Sequence, residues 1–211
     1  VLSINYVTSM FISFVTDIIK KNGVSVAEAD FSFNNLRIST LIFYGLSLCV
    51  FAPLIEEFLL RGCVIKILRP YGTKFAIFVS ALFFAMLHGN MGQGFGAFFI
   101  GLILGYIAVE TGSIIPTMIL HGMNNFFPYF GYVASNFPNN KPILATLGLS
   151  YIFLLFVGLY QFLRYKDDFK LENGNTSALS KGKIYATFFL NIFIVIYLIY
   201  EISELVGTFS K

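Results

Sequence analysis

The stretch Phe51–Gly62, F-A-P-L-I-E-E-F-L-L-R-G, is the strongest constraint on what this chain can become. It sets two adjacent carboxylates and an arginine inside an apolar run that extends from Leu41 to Leu68. A charged group at membrane depth costs roughly 2.5–3.5 kcal/mol on insertion scales, so it survives only with a partner or a task. Glu56, Glu57 and Arg61 fall within six residues of one another. Any fold of the chain must bring partners to them from elsewhere.

The surroundings are those of a membrane protein. The chain is 57% hydrophobic and 12% charged, against about 25% charged in soluble domains. Its mean hydropathy is +0.78. The apolar stretches are long and continuous and do not alternate with period two. This predicts an all-α, polytopic transmembrane helical bundle, not a barrel. About seven spans are expected, near residues 2–19, 39–68, 75–88, 95–109, 114–133, 143–163 and 184–206. The chain reads as one membrane domain over 1–211. Lys and Arg number nine on one side of these spans and five on the other, counting Arg61 as a loop charge. That bias sets the larger group in the cytoplasm, with the start of the chain on the same side. The net charge of +3 is spread over short loops and gives no nucleic-acid surface. No cleavable signal peptide is legible, and the start at Val1 leaves room for an upstream segment.

The connections are predicted at 22–37, with Glu28, Asp30, Phe31 and Phe33, and at 164–183, with the turn signal Asn173-Gly174-Asn175. A glycine-rich loop follows His88 and holds Asn90 and Gln93. Gly101 and Gly105 have the small-xxx-small spacing that lets membrane helices approach closely. In the segment 114–133, Pro116 suits a first helical turn and Pro128 predicts a broken helix. Pro53, three residues before Glu56, predicts a kink. Cys49 and Cys63 are fourteen residues apart on one predicted helix, about 21 Å, too far for a disulfide. They read as small buried apolar residues.

Spacing tests whether the polar residues can meet. Glu56 lies thirteen residues before Arg69 and His88 fourteen after Lys74. Both are therefore about 20 Å from the same basic loop at 1.5 Å per residue, and two antiparallel neighbours would hold them at one height. Glu57 and Arg61 are i and i+4 and can pair. Glu56 points about 100° away from Glu57 and would face a site. His121 and Asn125 share a face at i and i+4, and Phe84 and His88 repeat the spacing. Two chemistries fit such a set. A carboxylate can act as general base on a water that histidine orients, while the remaining His and Asn donate to an oxyanion. Alternatively, Glu56, His88 and His121 can hold a zinc ion that activates the water. No serine or cysteine is positioned as an obvious nucleophile. Taken singly, each residue has a plainer role, as a packing histidine or as an asparagine satisfying freed backbone. Taken together, that plainer reading weakens, because the chain has two histidines and both fall in these segments.

The ordered set E-E-x-x-x-R (Glu56, Glu57, Arg61), F-x-x-x-H (Phe84, His88) and H-x-x-x-N (His121, Asn125) resembles the CAAX protease and bacteriocin-processing family of intramembrane endopeptidases, which includes the type II CAAX prenyl proteases. The resemblance implies a family core at about 39–134, with flanking spans 1–20, 143–163 and 184–206. It implies that Glu56 and His88 activate the water, that His121 and Asn125 stabilise the oxyanion, and that Glu57 and Arg61 support the site. Members are described both as metalloproteases and as glutamic proteases, so zinc remains an open expectation. The implied partners are the lipid bilayer and a membrane-associated peptide or protein tail, with no nucleic acid. The composition looks bacterial, which implies a bacterial cell membrane. A non-catalytic bacteriocin-immunity or peptide-binding protein of the same fold is the alternative, and a small transporter using the buried acids is a third.

Overall fold

The acid-bearing stretch forms part of one long helix, α2, at Ile38–Tyr71. In the computed structural model, residues 1–21, 37–89, 91–137, 139–165, 171, 177–191, 194–195, 198–200 and 202–203 are described. The connection expected over 22–36, Asn90, the turn at 173–175 and parts of the last expected span lie outside them. Among the described residues every regular element is helical. Around α2 stand α1 (Leu2–Lys21), α3 (Thr73–Met86), α4 (Met91–Thr111), α5 (Ile115–Ser135), α6 (Lys141–Tyr165) and α7 (Lys181–Phe189). The protein is thus an all-α bundle, as its hydropathy requires.

Among the described residues, three helices are long and apolar enough to cross a membrane: α2, Gln93–Thr111 within α4, and α6. The apolar parts of α1 and α3 are shorter. At 1.5 Å per residue the 34 residues of α2 would span about 51 Å, well beyond the roughly 30 Å hydrocarbon core. Such a helix tilts or emerges from the bilayer. On α6, Leu149, Phe153 and Phe156 are exposed, as a lipid-solvated face requires.

The irregularity sits in α2, not where Pro128 predicted it. The backbone of α5 stays helical from Ile115 through Pro128 to Ser135, so the expected broken helix does not occur there. One missing amide is tolerated inside a membrane bundle. In α2, by contrast, Ser47–Phe51 and Phe58–Val64 are π-helical and flank the short α-helical piece Ala52–Glu57. Pro53 explains the first of these. It lies five residues after Leu48 and four after Cys49, so it offers no N–H to either carbonyl in π or α register.

Side chains of neighbouring helices bond to backbone carbonyls of α2, to Leu60 O while it also accepts from Ile65 N. Asn125 Nδ2 on α5 donates to Leu48 O at 3.0 Å, and Tyr129 OH donates to Leu41 O. Ser80 Oγ on α3 donates to Leu60 O in the second π segment at 3.2 Å. Gly122 permits the approach of α5, since a Cβ there would stand 2.6 Å from Cys49 O. Gly101 and Gly105 do the same for α4 against α3, where added Cβ atoms would meet Ala81 Cα and Ile77 Cγ2 at 2.9 Å. The apolar cluster of Leu60, Phe84, Ala97, Ile100 and Leu104 fills the space between α2, α3 and α4. Helix α1 packs on α4 and α6. Both cysteines are half-buried and free.

Candidate active site

The centre of the site is a buried ion pair. Arg61 Nη1 donates to Glu57 Oε1 at 2.9 Å, and both side chains are sealed from solvent. The i to i+4 spacing puts them on one face, as the sequence predicts. Arg61 Nη2 donates to Gly101 O at 3.2 Å, and its guanidinium lies 4.6 Å above the Phe84 ring. Arg61, counted above with the loop charges, is therefore a buried helix residue. Its charge is met by a carboxylate, a carbonyl and an aromatic face.

Glu57 has a second partner. His121 Nδ1 is 2.9 Å from the same Oε1. An ionised carboxylate only accepts, so Nδ1 carries the hydrogen and donates it. The other ring nitrogen, Nε2, then faces Glu56 Oε2 at 3.7 Å. Carboxylate, imidazole and carboxylate stand in a row, with Glu57 inside and Glu56 outside. The side chain of Glu56 is 28% exposed, against 0% for Glu57. The two adjacent acids thus divide as their 100° separation requires.

His88 is fixed by the end of α3. The last carbonyls of a helix lack intrahelical donors. One of them, Phe84 O, lies 2.8 Å from His88 Nδ1. A carbonyl only accepts, so Nδ1–H donates and Nε2 is the nitrogen that can take a proton. Gly89 follows at φ 62°, which lets the chain turn there. Phe84 stands edge-on to both imidazoles, 5.0 Å from His88 and 5.1 Å from His121. It is also fully buried. The sequence suggested its contact with His88. That it touches His121 and Arg61 as well has no signature in F-x-x-x-H.

These groups open on one cavity of about 570 Å³ between α1, α2, α3, α4 and α5. Glu56, His88, His121 and Asn125 all line it, so the structure brings the four together as their depths and spacings required. Glu57 and Arg61 stand behind the wall. The sequence did not single out Asn5 and Ser9 of α1, Tyr44 of α2 or Asn124 of α5 for the site, yet they line the cavity too. Asn5 and Ser9 share the i, i+4 spacing that would have placed them on one helix face. The amide of Asn125 is committed to Leu48 O, which is the plainer role open to an asparagine here.

A three-residue metal set does not form in this arrangement. Among the described residues no three His, Cys, Asp or Glu side chains stand close enough to hold an ion. His121 Nδ1 on Glu57 leaves Nε2 as its ligating nitrogen, and Glu56, His88 and His121 are not gathered around one point as they stand.

A carboxylate, two imidazoles and an asparagine thus line one cavity of an all-helical protein with membrane-length helices. Comparison with known families bears on what such a site belongs to. Residues 38–127 match the family described as type II CAAX prenyl endopeptidase Rce1-like. The resemblance read from the three motifs is borne out over that segment, which is similar to the CAAX protease family. No curated protein and no solved structure matches the chain.

Proposed function

We propose that the protein is an intramembrane endopeptidase that hydrolyses a peptide bond of a membrane-associated peptide or protein tail in a bacterial cell membrane. The family match supports proteolysis. The observation that carries the mechanism is the division of the acids: Glu56 is open to the cavity while Glu57 is sealed by Arg61 and His121. A partly exposed carboxylate facing a cavity can take a proton from water there.

In this reading Glu56 accepts a proton from the attacking water, and His88 Nε2 orients that water. The water oxygen bonds to the scissile carbonyl carbon, and the carbonyl oxygen becomes an oxyanion. Asn125 can donate to it through the second hydrogen of Nδ2. His121 donates only when Nε2 also carries a proton. Collapse of the tetrahedral species breaks the C–N bond, and the proton held at Glu56 passes to the departing amine. The products are a new carboxylate and a new amine. Glu57 acts through His121, holding its ring in place.

The test is cleavage of a fluorogenic membrane peptide by detergent-purified protein and by Glu56→Gln and His88→Ala. Each variant should lose at least about a hundredfold in rate, the lower end for a general base, while remaining folded. Full activity in either variant refutes the assignment. Peptide binding without any cleavage by the unaltered protein would instead establish the immunity or peptide-binding alternative.

A further inference from the structure

Helix α1 lies outside the matched segment 38–127, yet it forms one side of the cavity. Packing on both flanks fixes its rotation. Tyr6 stacks on Tyr151 of α6 at 5.2 Å, and Phe11 on Phe95 of α4 at 5.7 Å. Thr8 is buried against Gly96, where a Cβ would stand 3.0 Å from Thr8 Oγ1. The Thr8 hydroxyl is spent inside α1, on Ile4 O at 2.8 Å and Asn5 O at 3.0 Å. Asn5 and Ser9 are left lining the cavity. Among the described residues neither of their side chains has a hydrogen-bond partner. Both keep accessible surface, Asn5 being half-buried and Ser9 exposed. Asn5 also stands at the depth of the chemistry. Ile4, the residue before it, packs on the cluster that contains Phe84, whose ring stands against both imidazoles.

The spacing of these two groups selects the shape of a ligand. Four residues of helix advance about 6 Å. Two residues of extended chain advance about 6.7 Å, and alternate residues of such a chain point their N–H and C=O groups to the same side. A carboxamide carries both a donor and an acceptor, so Asn5 can take the N–H and the C=O of one residue. Ser9 Oγ can then accept the N–H of the residue two further on. A helical segment offers nothing to this pair, because its N–H and C=O groups are satisfied within the helix.

We infer that α1 is the wall along which a peptide lies extended, held through its main chain by Asn5 and Ser9. This deepens the endopeptidase reading and rests on it for the chemistry, but the main-chain hold is measurable as binding alone. The chain has no tryptophan, so a tryptophan in the ligand reports binding without background. The probes are the peptide acetyl-Leu-Phe-Ala-Trp-Ala-Phe-Leu-amide and a set in which each peptide N–H in turn is replaced by an ester oxygen. They are titrated by fluorescence anisotropy against the detergent-purified full chain carrying Glu56→Gln, so that no probe is consumed. Ester replacement should weaken binding by about threefold or more, the scale of one hydrogen bond, at two positions that are two residues apart. The position between them should change by less than about twofold. Adding Asn5→Leu should abolish one of the two losses, and adding Ser9→Ala the other.

The ester scan itself needs no change in α1, so misfolding of Asn5→Leu cannot hide its outcome. Losses at consecutive positions, losses at no position, or losses undiminished in both added variants overturn the inference. So does failure of the parent peptide to bind at millimolar concentration. The alternating pattern in binding, with the parent peptide never cut by the unaltered chain, leaves the extended hold standing and removes the endopeptidase reading.

Discussion

Replacing Glu57 with alanine should be among the most costly substitutions in the protein, although Glu57 does not line the cavity. In the native state Glu57 Oε1 accepts from Arg61 Nη1 and His121 Nδ1, both at 2.9 Å. Its removal leaves the Arg61 charge buried beside a carbonyl at 3.2 Å and an aromatic ring at 4.6 Å. Those contacts exist already in the native protein, so they offset nothing new. Unpairing one member of a buried ion pair costs about 3–5 kcal/mol. The stranded His121 N–H adds about 1–3 kcal/mol where no water reaches it. Measured membrane hydrogen bonds average nearer about 0.6 kcal/mol, so the ion pair dominates and the expected loss is about 4 kcal/mol. The assay is reversible unfolding in detergent, followed by helical circular dichroism, for Glu57→Ala, Arg61→Leu and the double variant. Each single change leaves an uncompensated charge and the double change leaves none. The double variant should therefore be more stable than the sum of the singles predicts, by about 2 kcal/mol or more. A cost below about 1 kcal/mol for Glu57→Ala, or strictly additive singles, would refute the argument that this pair is a closed unit.

Other substitutions separate structure from chemistry. Glu56→Gln should abolish cleavage and leave the unfolding midpoint almost unmoved, since Glu56 is part-exposed and is not a partner of Arg61 by hydrogen bond; a large stability loss would place it in the core instead. Gly122→Ala should cost about 1–3 kcal/mol by overpacking, because its Cβ would stand 2.6 Å from the backbone oxygen of Cys49 and neither atom is on a flexible side chain; an unchanged denaturation curve would show that α5 does not pack so closely. Asn125→Asp should be worse for stability than Asn125→Ala, since an ionised aspartate faces Leu48 O with no hydrogen to donate; the reverse order in thermal unfolding would mean that this bond is absent. Chelation with EDTA should leave peptide cleavage unchanged, and loss of activity restored by zinc would show that the site rearranges to hold an ion.

The parts of this site legible in the sequence are those that depend on helical spacing alone. Glu57 and Arg61 at i and i+4 could be paired before any fold was known. The adjacency of Glu56 and Glu57 implied that one faces the cavity and the other does not. Equal distances of Glu56 and His88 from one basic loop gave their common height. The fold class followed from the length of the apolar runs. What was not legible is long-range. That His121 would serve Glu57 as well as the cavity depends on the rotation of α5 against α2. No local pattern encodes that rotation. Pro128 was read as a break from its residue type, but the bundle absorbs one missing amide. Pro53 has the same chemistry and has the larger effect on α2, because it falls beside a π segment where two successive carbonyls lose their donor. The carboxamides of Asn5 and Gln93 lie outside the three motifs, and only the packing of α1 on α4 brings them to the cavity.

The irregular backbone of α2 links the fold to the chemistry. Backbone carbonyls of α2 also serve as acceptors for its neighbours, Leu60 O in addition to its own bond from Ile65 N. Here Leu48 O and Leu60 O bond to Asn125 on α5 and Ser80 on α3. These bonds pin both neighbours to the helix that carries Glu56 and Glu57. Asn125 lies one turn beyond His121, so the bond that satisfies Leu48 O also sets the rotation of α5 and brings His121 Nδ1 to Glu57. Phe84, one turn beyond Ser80 on α3, is likewise brought over Arg61 and against both imidazoles. Each π segment thus positions one histidine, α5 presenting His121 and α3 presenting His88. It follows that deleting one residue within 47–51 to restore α-register should displace His121 more than His88, whereas a deletion within 58–64 should do the reverse. Imidazole NMR shifts of the two rings, each labelled, distinguish these outcomes. Equal displacement of both rings by either deletion would mean that the two π segments act on the site as one.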